Sequence, residues 1–409
     1  MLSKSISHKT PSIIVLLSLF VALFVDIRPI NLSIARGLMM GEGEGLMNIL
    51  YPVVVFFIVL LCVINTRVKK SWSPSLIFLT IYLVMYFCIS KSVFGPPETT
   101  LKMLLVFVLA SFIIPSIAVV DAKTLLMGVM LFPSIAILNL DSVFATTAEW
   151  TNVVSMDVSY GFMIPIIGTI VYVFSYLRED KGKHRVLMLS LVAINTVFFF
   201  LIFLRGSRGP LLSIVLLIFF LYLIKKNPNG KGVIYSRGKM STFILVIFIV
   251  LIGYAVFAEV IVNILSSAGI DSYALTKILE LDKEGDLSNG RTELNMITLK
   301  GIIEHPLFGN GFDRFNANTN LLYPHNFILQ ILYDGGILFF FVLMTPIIRS
   351  TIQRYKSCAY DEYALLTFLM FSSVPGALFS HNLYTNGLIW LFFGAVLSKQ
   401  FVYNKNRTM

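Results

Sequence analysis

Charged residues are scarce in this sequence. They make up 13% of its 409 residues, whereas soluble domains carry about a quarter. Hydrophobic residues make up 57%, and the mean hydropathy is +0.83. This balance excludes an ordinary soluble protein and predicts a polytopic membrane protein.

Other scarcities exclude further classes. The three cysteines, Cys62, Cys88 and Cys358, are scattered without metal-ligand spacing, so the sequence predicts neither a disulfide framework nor a metal site. The net charge of +10 is not concentrated in a basic and aromatic cluster, which argues against nucleic-acid binding. The first apolar run has no clear small-residue cleavage site after it, and we interpret it as a retained helix.

Long apolar runs are what the sequence has in abundance. They predict about twelve transmembrane helices, because about 20 apolar residues cross a bilayer. The runs lie at about 12–25, 46–65, 74–90, 101–120, 124–140, 158–177, 186–204, 209–224, 241–262, 326–348, 363–380 and 383–398.

The positive charges set the orientation. Most of the 32 lysines and arginines fall in alternate loops and at the two termini, so these are assigned to the cytoplasm. One large segment, about 263–325, is predicted outside. The chain then divides into N-terminal transmembrane helices (1–185), a second membrane region that includes the outer loop (186–398) and a cytoplasmic tail (399–409).

A short outer hairpin breaks the charge rule. Arg205 and Arg208 stand with Gly206, Ser207 and Gly209 between two spans. The arginines could extend to the headgroup phosphates of the outer leaflet. They could also bind an anionic group, and the glycines favour this reading because they allow a tight turn with free N–H groups.

The large outer segment contains a predicted amphipathic helix at 292–304, with Leu294, Ile297 and Gly301 on one side. It begins next to Arg291 and carries Glu293 and Glu304. The stretch "HPLFGNGF" (305–312) reads as a turn. A nucleotide-binding role for its "GNG" is discarded, because no strand precedes it.

His325 stands where this segment enters the next span. Pro324 and Asn326 are typical helix-start residues, which would place His325 at a helix N-terminus that favours an anion. Asp334 lies farther along the same span. An intramembrane carboxylate is a functional candidate, but the "DGG" sequence could equally mark a helix break at which Asp334 satisfies the freed backbone groups, and both readings stay open.

Two other histidines receive structural interpretations. His305 precedes a proline in the predicted turn, and His381 follows an apolar run in "FSHNLYTN". Both are interpreted as ordinary turn or loop residues.

These motifs together resemble the O-antigen polymerase/O-antigen ligase family of bacterial envelope glycosyltransferases. The resemblance covers about residues 186–398 and depends on "GSRG" (206–209), "NGRTELN" (289–295) and "EHPLFGNGF…YPHNFILQILYDGG" (304–336). The family pattern is His-[Asn/Ser/Gln]-x9-Gly with a small residue or Tyr three positions later. This chain has His325, Asn326 and Gly336, but Phe339 at the last position.

The resemblance implies an all-α membrane bundle of the C-type glycosyltransferase class. Such enzymes transfer a glycan from undecaprenyl pyrophosphate on the outer side of the bacterial inner membrane, without metal or cofactor. Polymerases extend the chain with a lipid-linked repeat unit, and ligases move it to lipid A–core. The implied partners are the undecaprenyl-pyrophosphate-linked oligosaccharide, membrane lipids and a chain-length regulator protein.

Residue by residue, the resemblance implies catalytic roles for Arg208, Arg291 and His325. Arginine suits a pyrophosphate leaving group, since its planar guanidinium group can form bidentate hydrogen bonds with phosphate oxygens. His325 would take the proton of the acceptor hydroxyl or contact phosphate, and Glu293 and Glu304 are alternative bases. The predicted substrate-binding residues are Arg205, Glu293, Glu304, Asn326 and Asp334.

The sequence leaves three functions to compare. A polymerase is preferred, because the departure at Phe339 weakens the assignment to the ligase branch more than the assignment to the family. A ligase is the alternative. A flippase or transporter is the third; it is disfavoured because the polar residues gather on one face and no internal repeat is present.

Overall fold

The computed structural model describes residues 73–83, 122–136, 152–177, 182–205, 208–226, 233–235, 291–312, 314–319, 321, 323–379, 381–384 and 386–399. Four predicted spans (12–25, 46–65, 101–120 and 241–262), both termini and the whole segment 263–290 lie outside these residues. The described helices are α1 (Pro74–Leu83), α2 (Ala122–Ala136), α3 (Asn152–Ser175), α4 (Gly182–Arg205), α5 (Arg208–Leu223), α6 (Arg291–Glu304), α7 (Arg314–Thr319), α8 (Phe327–Ser357), α9 (Tyr360–Phe379) and α10 (Gly387–Leu397).

The described residues are mostly helical, as expected for a helical membrane protein. Helices α8 and α9 are long and apolar enough to cross a bilayer. Helix α8 continues to Ser357, past the predicted end of its span at 348, through a stretch that carries Arg349, Arg354 and Lys356. The exception to the all-helical expectation is an antiparallel pair of short strands, β1 (Ile224–Lys226) and β2 (Val233–Tyr235), in a loop predicted to be cytoplasmic.

Polar contacts join the helices at one end of the bundle. Arg354 forms an ion pair of 2.7 Å with Glu362 and donates to the carbonyl of Val396, which links α8, α9 and α10. The hydroxyl of Tyr176, just after α3, donates to Asp361 at 2.7 Å. These residues come from the ends of the helices that were predicted to face the cytoplasm; the facing itself stays a prediction.

The opposite end is identified by the direction of the helices. Tyr363, at the start of α9, donates to the carbonyl of Ile224, which directly follows α5. Helices α5 and α9 are therefore antiparallel, and the start of α5 at Arg208 lies at the same end of the bundle as the segment that follows α9. Phe220 of α5 packs against Tyr363 and Phe371 of α9.

Helix α8 is broken at Gly336, whose φ of 65° and ψ of −172° are not helical. The turn 305–312 docks on this break. Asn310 N–H and Gly311 N–H donate to the carbonyls of Tyr333 and Asp334 at 2.7 and 2.9 Å. In return, Ile337 N–H and Leu338 N–H, the first after the break, donate to the carbonyls of Pro306 and Leu307 at 2.8 and 3.3 Å. The turn thus satisfies backbone groups that a broken membrane helix would leave unpaired.

Two glycines make this docking possible. Gly309 and Gly336 both have positive φ, 71° and 65°. A Cβ on Gly309 would lie 2.5 Å from the backbone of Asp334, and one on Gly336 would lie 2.4 Å from the backbone of Leu307. The "DGG" sequence therefore does mark a helix break, but the expectation that Asp334 satisfies the freed backbone groups is wrong: those groups bond to the turn, and the Asp334 side chain accepts from Tyr384.

Helix α6 begins at Arg291, one residue before its predicted start. Thr298 and Gly301 are buried, and a Cβ on Gly301 would meet the ring of Tyr333 at 2.3 Å. This confirms the buried side that was predicted. The opposite side, however, carries exposed Met296, Leu299 and Ile303, so the helix is apolar on two sides and not on one.

Candidate functional site

His325 lies directly before α8, as predicted. The side-chain oxygen of Asn326 caps the helix by accepting from the N–H groups of Ile328 and Leu329 at 3.0 and 3.3 Å. Within the part of the chain that the structure describes, His325 is the only non-glycine residue with a positive φ, 51°. Such a conformation is uncommon outside glycine and is often retained at functional sites.

A second histidine joins this site. His381, in the segment after α9, packs edge-to-face on Tyr160 of α3 with ring centroids 4.1 Å apart. The backbone N–H of His381 donates to the carbonyl of Gly376. A Cβ on Gly376 would lie 2.9 Å from the His381 ring and 3.2 Å from the Tyr160 ring. The lack of a side chain at Gly376 therefore leaves the space that both rings occupy.

The side chain of Gln330 fixes the segment that carries His381. Its amide nitrogen donates to Asn382 at 3.0 Å, and its oxygen accepts from the N–H of Leu383 at 2.9 Å. The same Asn382 oxygen accepts from the N–H of Tyr384 at 2.8 Å. Because Gln330 lies in the first turn and a half of α8, this clamp holds His381 beside the helix start that carries His325.

Asp334 lies farther along α8, in the same hydrogen-bond network. Its carboxylate accepts a hydrogen bond of 2.6 Å from the hydroxyl of Tyr384. Both residues are buried, and Asp334 is only 1% exposed. In this structure Asp334 therefore supports the site through Tyr384; the predicted contact with substrate would require the pair to open.

The two histidines interact electrostatically. Burial first, and the charge of His325 second, lower the pKa of His381 to about 4. Two neighbouring imidazoles do not readily both carry a charge. His381 is thus neutral over the physiological range, and a charge on His325 disfavours a second charge on His381.

The predicted arginines lie at helix ends. Arg205 ends α4 and Arg208 begins α5, at the same end of the bundle as His381; their side chains lie outside the described ones. Arg291 begins α6 and is half-buried, whereas Glu293 and Glu304 are exposed. The structure brings together His325, Asn326 and, through Tyr384, Asp334. The roles predicted for these residues stay predictions.

Sequence reasoning missed His381, Tyr160, Gln330, Asn382 and Tyr384. His381 was interpreted as an ordinary loop residue, and its partners lie far away along the chain. The sequence signal for these residues was the polar stretch "HNLYTN" (381–386) between two apolar runs. Such a stretch does not differ from an ordinary loop between two helices.

The comparison with protein families gives a match over part of the chain. Residues 193–344 match the family described as O-antigen ligase. The match runs from the second half of α4 through the break in α8 and includes Arg205, Arg208, Arg291 and His325. It leaves out Tyr160, His381 and Tyr384. No curated protein matches the chain.

Proposed function

We propose, from the O-antigen ligase domain at residues 193–344, that this protein is a polymerase of a bacterial surface polysaccharide. It joins repeat units carried on undecaprenyl pyrophosphate, on the outer face of the inner membrane. The observation that supports this most directly is the position of His381, which the Gln330 contacts hold beside the start of α8 that carries His325. This site combines a proton acceptor with a helix end that favours anions.

The proposed reaction is a single glycosyl transfer. The hydroxyl oxygen of the acceptor sugar attacks the anomeric carbon of the donor, and the bond from that carbon to the pyrophosphate oxygen breaks. The bonding electrons leave with undecaprenyl pyrophosphate, and the hydroxyl proton passes to the imidazole of His325. The neutral His381 beside it leaves His325 free to become the charged member of the pair.

The arginines stabilise the leaving group in this proposal. Charge accumulates on the pyrophosphate as the bond breaks, and preorganised donors for such charge are each worth about 3–4 kcal/mol. Arg208 and Arg291 fill this role, and Arg205 is a neighbouring contact to phosphate or to lipid headgroups. Asn326, Glu293 and Glu304 contact sugar hydroxyls at the rim.

The test uses the purified full chain in lipid vesicles that contain lipid-linked repeat units and no lipid A–core. A polymerase lengthens the lipid-linked glycan in steps of one repeat, and His325→Asn abolishes the steps. A flippase moves the intact unit across the bilayer without changing its length, and that result would contradict the proposal.

A ligase is the second candidate, because the family match carries that description. The departure from the family pattern at Phe339 distinguishes a polymerase from a ligase less well than the sequence indicated. Its ring is buried and packs against Phe312 and Tyr82, with centroids 5.5 and 6.0 Å apart, so it is a core residue. Adding lipid A–core to the same vesicles separates the two activities, since a ligase forms product only when this acceptor is present.

The orientation of the site is tested by labelling. Lys300 is exposed on α6 and Lys356 is exposed near the end of α8. In a chain whose three native cysteines are replaced by serine, a membrane-impermeant thiol reagent should label Lys300→Cys from outside and Lys356→Cys only after lysis. The reverse pattern would place the site in the cytoplasm and end the proposal.

A further inference from the structure

An exposed apolar strip runs along the outer side of α6 and into the following turn. It consists of Met296, Leu299, Ile303, Leu307 and Phe308, with Ile303 76% and Phe308 65% exposed. Soluble surfaces rarely leave so many large apolar side chains in one continuous row. A segment that was predicted to lie in water outside the membrane thus carries an exposed apolar surface, whose contact with water is energetically unfavourable.

The strip is only half of the exposed arc of α6. At 100° per residue, Met296, Leu299 and Ile303 share one side. Lys300, Glu293 and Glu304 share the adjacent exposed side, while Thr298 and Gly301 are buried, Gly301 against the Tyr333 ring of α8. The helix therefore has a protein-facing side, an apolar side and a charged side. This division is typical of a helix that lies in the plane of a membrane interface.

The strip continues into the apolar surface of α8. Leu307 bonds to the backbone of Leu338, and Pro306 bonds to that of Ile337. Ile337, Leu338 and Phe341 are exposed and belong to a helix that is long and apolar enough to span a bilayer. The exposed apolar surface of α8 therefore adjoins that of the turn and α6.

We infer that α6 is an interfacial helix whose strip is embedded in the outer leaflet of the bilayer. The occupant of the strip is the acyl-chain and glycerol region of membrane lipid. Lys300, Glu293 and Glu304 then face water and headgroups. The docked turn 305–312 fixes the depth of α6, because its backbone bonds to α8 at the break. This surface is independent of the polymerase reaction.

The depth of a new tryptophan tests the inference. Ile303→Trp lies on the strip, and Lys300→Trp is its matched control on the charged side of the same helix. Each full-length protein is placed in lipid nanodiscs made with brominated or unbrominated phosphatidylcholine, beside the unsubstituted protein, whose three native tryptophans set the background. Met296→Trp repeats the test at a second position of the strip.

We expect brominated chains to quench the emission added by Ile303→Trp and Met296→Trp more than that added by Lys300→Trp. Iodide in the water should quench the control more than the strip variants. If iodide quenches the strip variants as strongly as the control, the strip faces water and the inference is wrong. If neither reagent reaches them, protein covers the strip, and the inference is equally wrong.

Discussion

The hydroxyl of Tyr384 lies 2.6 Å from the carboxylate of Asp334 and ties the segment after α9 to the break in α8. Around this contact, Gln330 clamps Asn382 and Leu383, and the turn 305–312 bonds to the broken helix. Three segments that are distant along the chain thus depend on one another at the site.

The Tyr384–Asp334 pair should contribute measurably to stability. Tyr384→Phe leaves a buried carboxylate without this donor, which costs about 1–3 kcal/mol. The measurement is unfolding of the purified protein in detergent for Tyr384→Phe, Asp334→Leu and the double variant. We expect the double variant to lose less than the sum of the two single losses. Strict additivity would mean that the contact carries no stabilising energy.

The glycines at the helix break should tolerate no side chain. Gly336→Ala and Gly309→Ala combine a left-handed conformation, which costs about 1–2 kcal/mol, with a clash against backbone atoms at 2.4–2.5 Å. We expect both variants to lower the amount of folded protein in the membrane, measured by size-exclusion chromatography after solubilisation. The control is Gly168→Ala in α3, where the nearest atom is a side-chain carbon of Val129 at 3.0 Å that can move. A normal yield of Gly336→Ala would refute the docking of the turn.

Both histidines of the pair should matter for activity. Losing a general base lowers a rate by about 10²–10⁴-fold, so we expect that loss from His325→Asn and a smaller one from His381→Asn. The readout is the rate of chain extension in reconstituted vesicles at equal protein. His305→Asn, an exposed histidine in the turn, is the control and should retain normal rates. If His381→Asn behaves like this control, His381 only fills space.

The acid stability of the protein should reflect His381. Its pKa is lowered to about 4 in the folded protein, whereas an unfolded histidine titrates near 6.5. The unfolded chain therefore takes up a proton first, and stability falls as the pH drops from about 6.5 to about 4. We expect His381→Gln to flatten this fall in thermal unfolding measured across that range, and His305→Gln to leave it unchanged. Equal slopes for the parent and His381→Gln would contradict the burial of a neutral histidine.

The two arginines of the short hairpin, Arg205 and Arg208, should differ in their importance for polymer formation. Arg208 begins α5, where its guanidinium and the free N–H groups of the helix start can bind one anion. Arg205 ends α4 and can extend to lipid headgroups instead. In a deletion strain with each variant at equal membrane abundance, Arg208→Ala should leave single repeat units on the lipid carrier, and Arg205→Ala should shorten the glycan ladder only mildly. A normal ladder from Arg208→Ala would remove this arginine from the site.

Local features of the chain were predictable from sequence. The apolar runs located the described helices to within a few residues at most ends, because helix formation in a membrane depends on the hydropathy of consecutive residues. Asn326 was recognised as a helix start for a similar reason, since a cap is a contact between near neighbours. The turn at 305–312 followed from its glycines and proline.

What the sequence by itself determined was therefore the membrane class, the position of His325 next to a helix start and a match over residues 193–344 to the family described as O-antigen ligase. Only the tertiary structure decided that His381 is the partner of His325, that Tyr384 holds Asp334 and that the turn closes the break in α8. It also decided that part of the exposed surface of α6 is apolar. Each of these depends on contacts between residues that are far apart along the chain, and no local pattern of hydropathy or spacing specifies which distant segments will pack together.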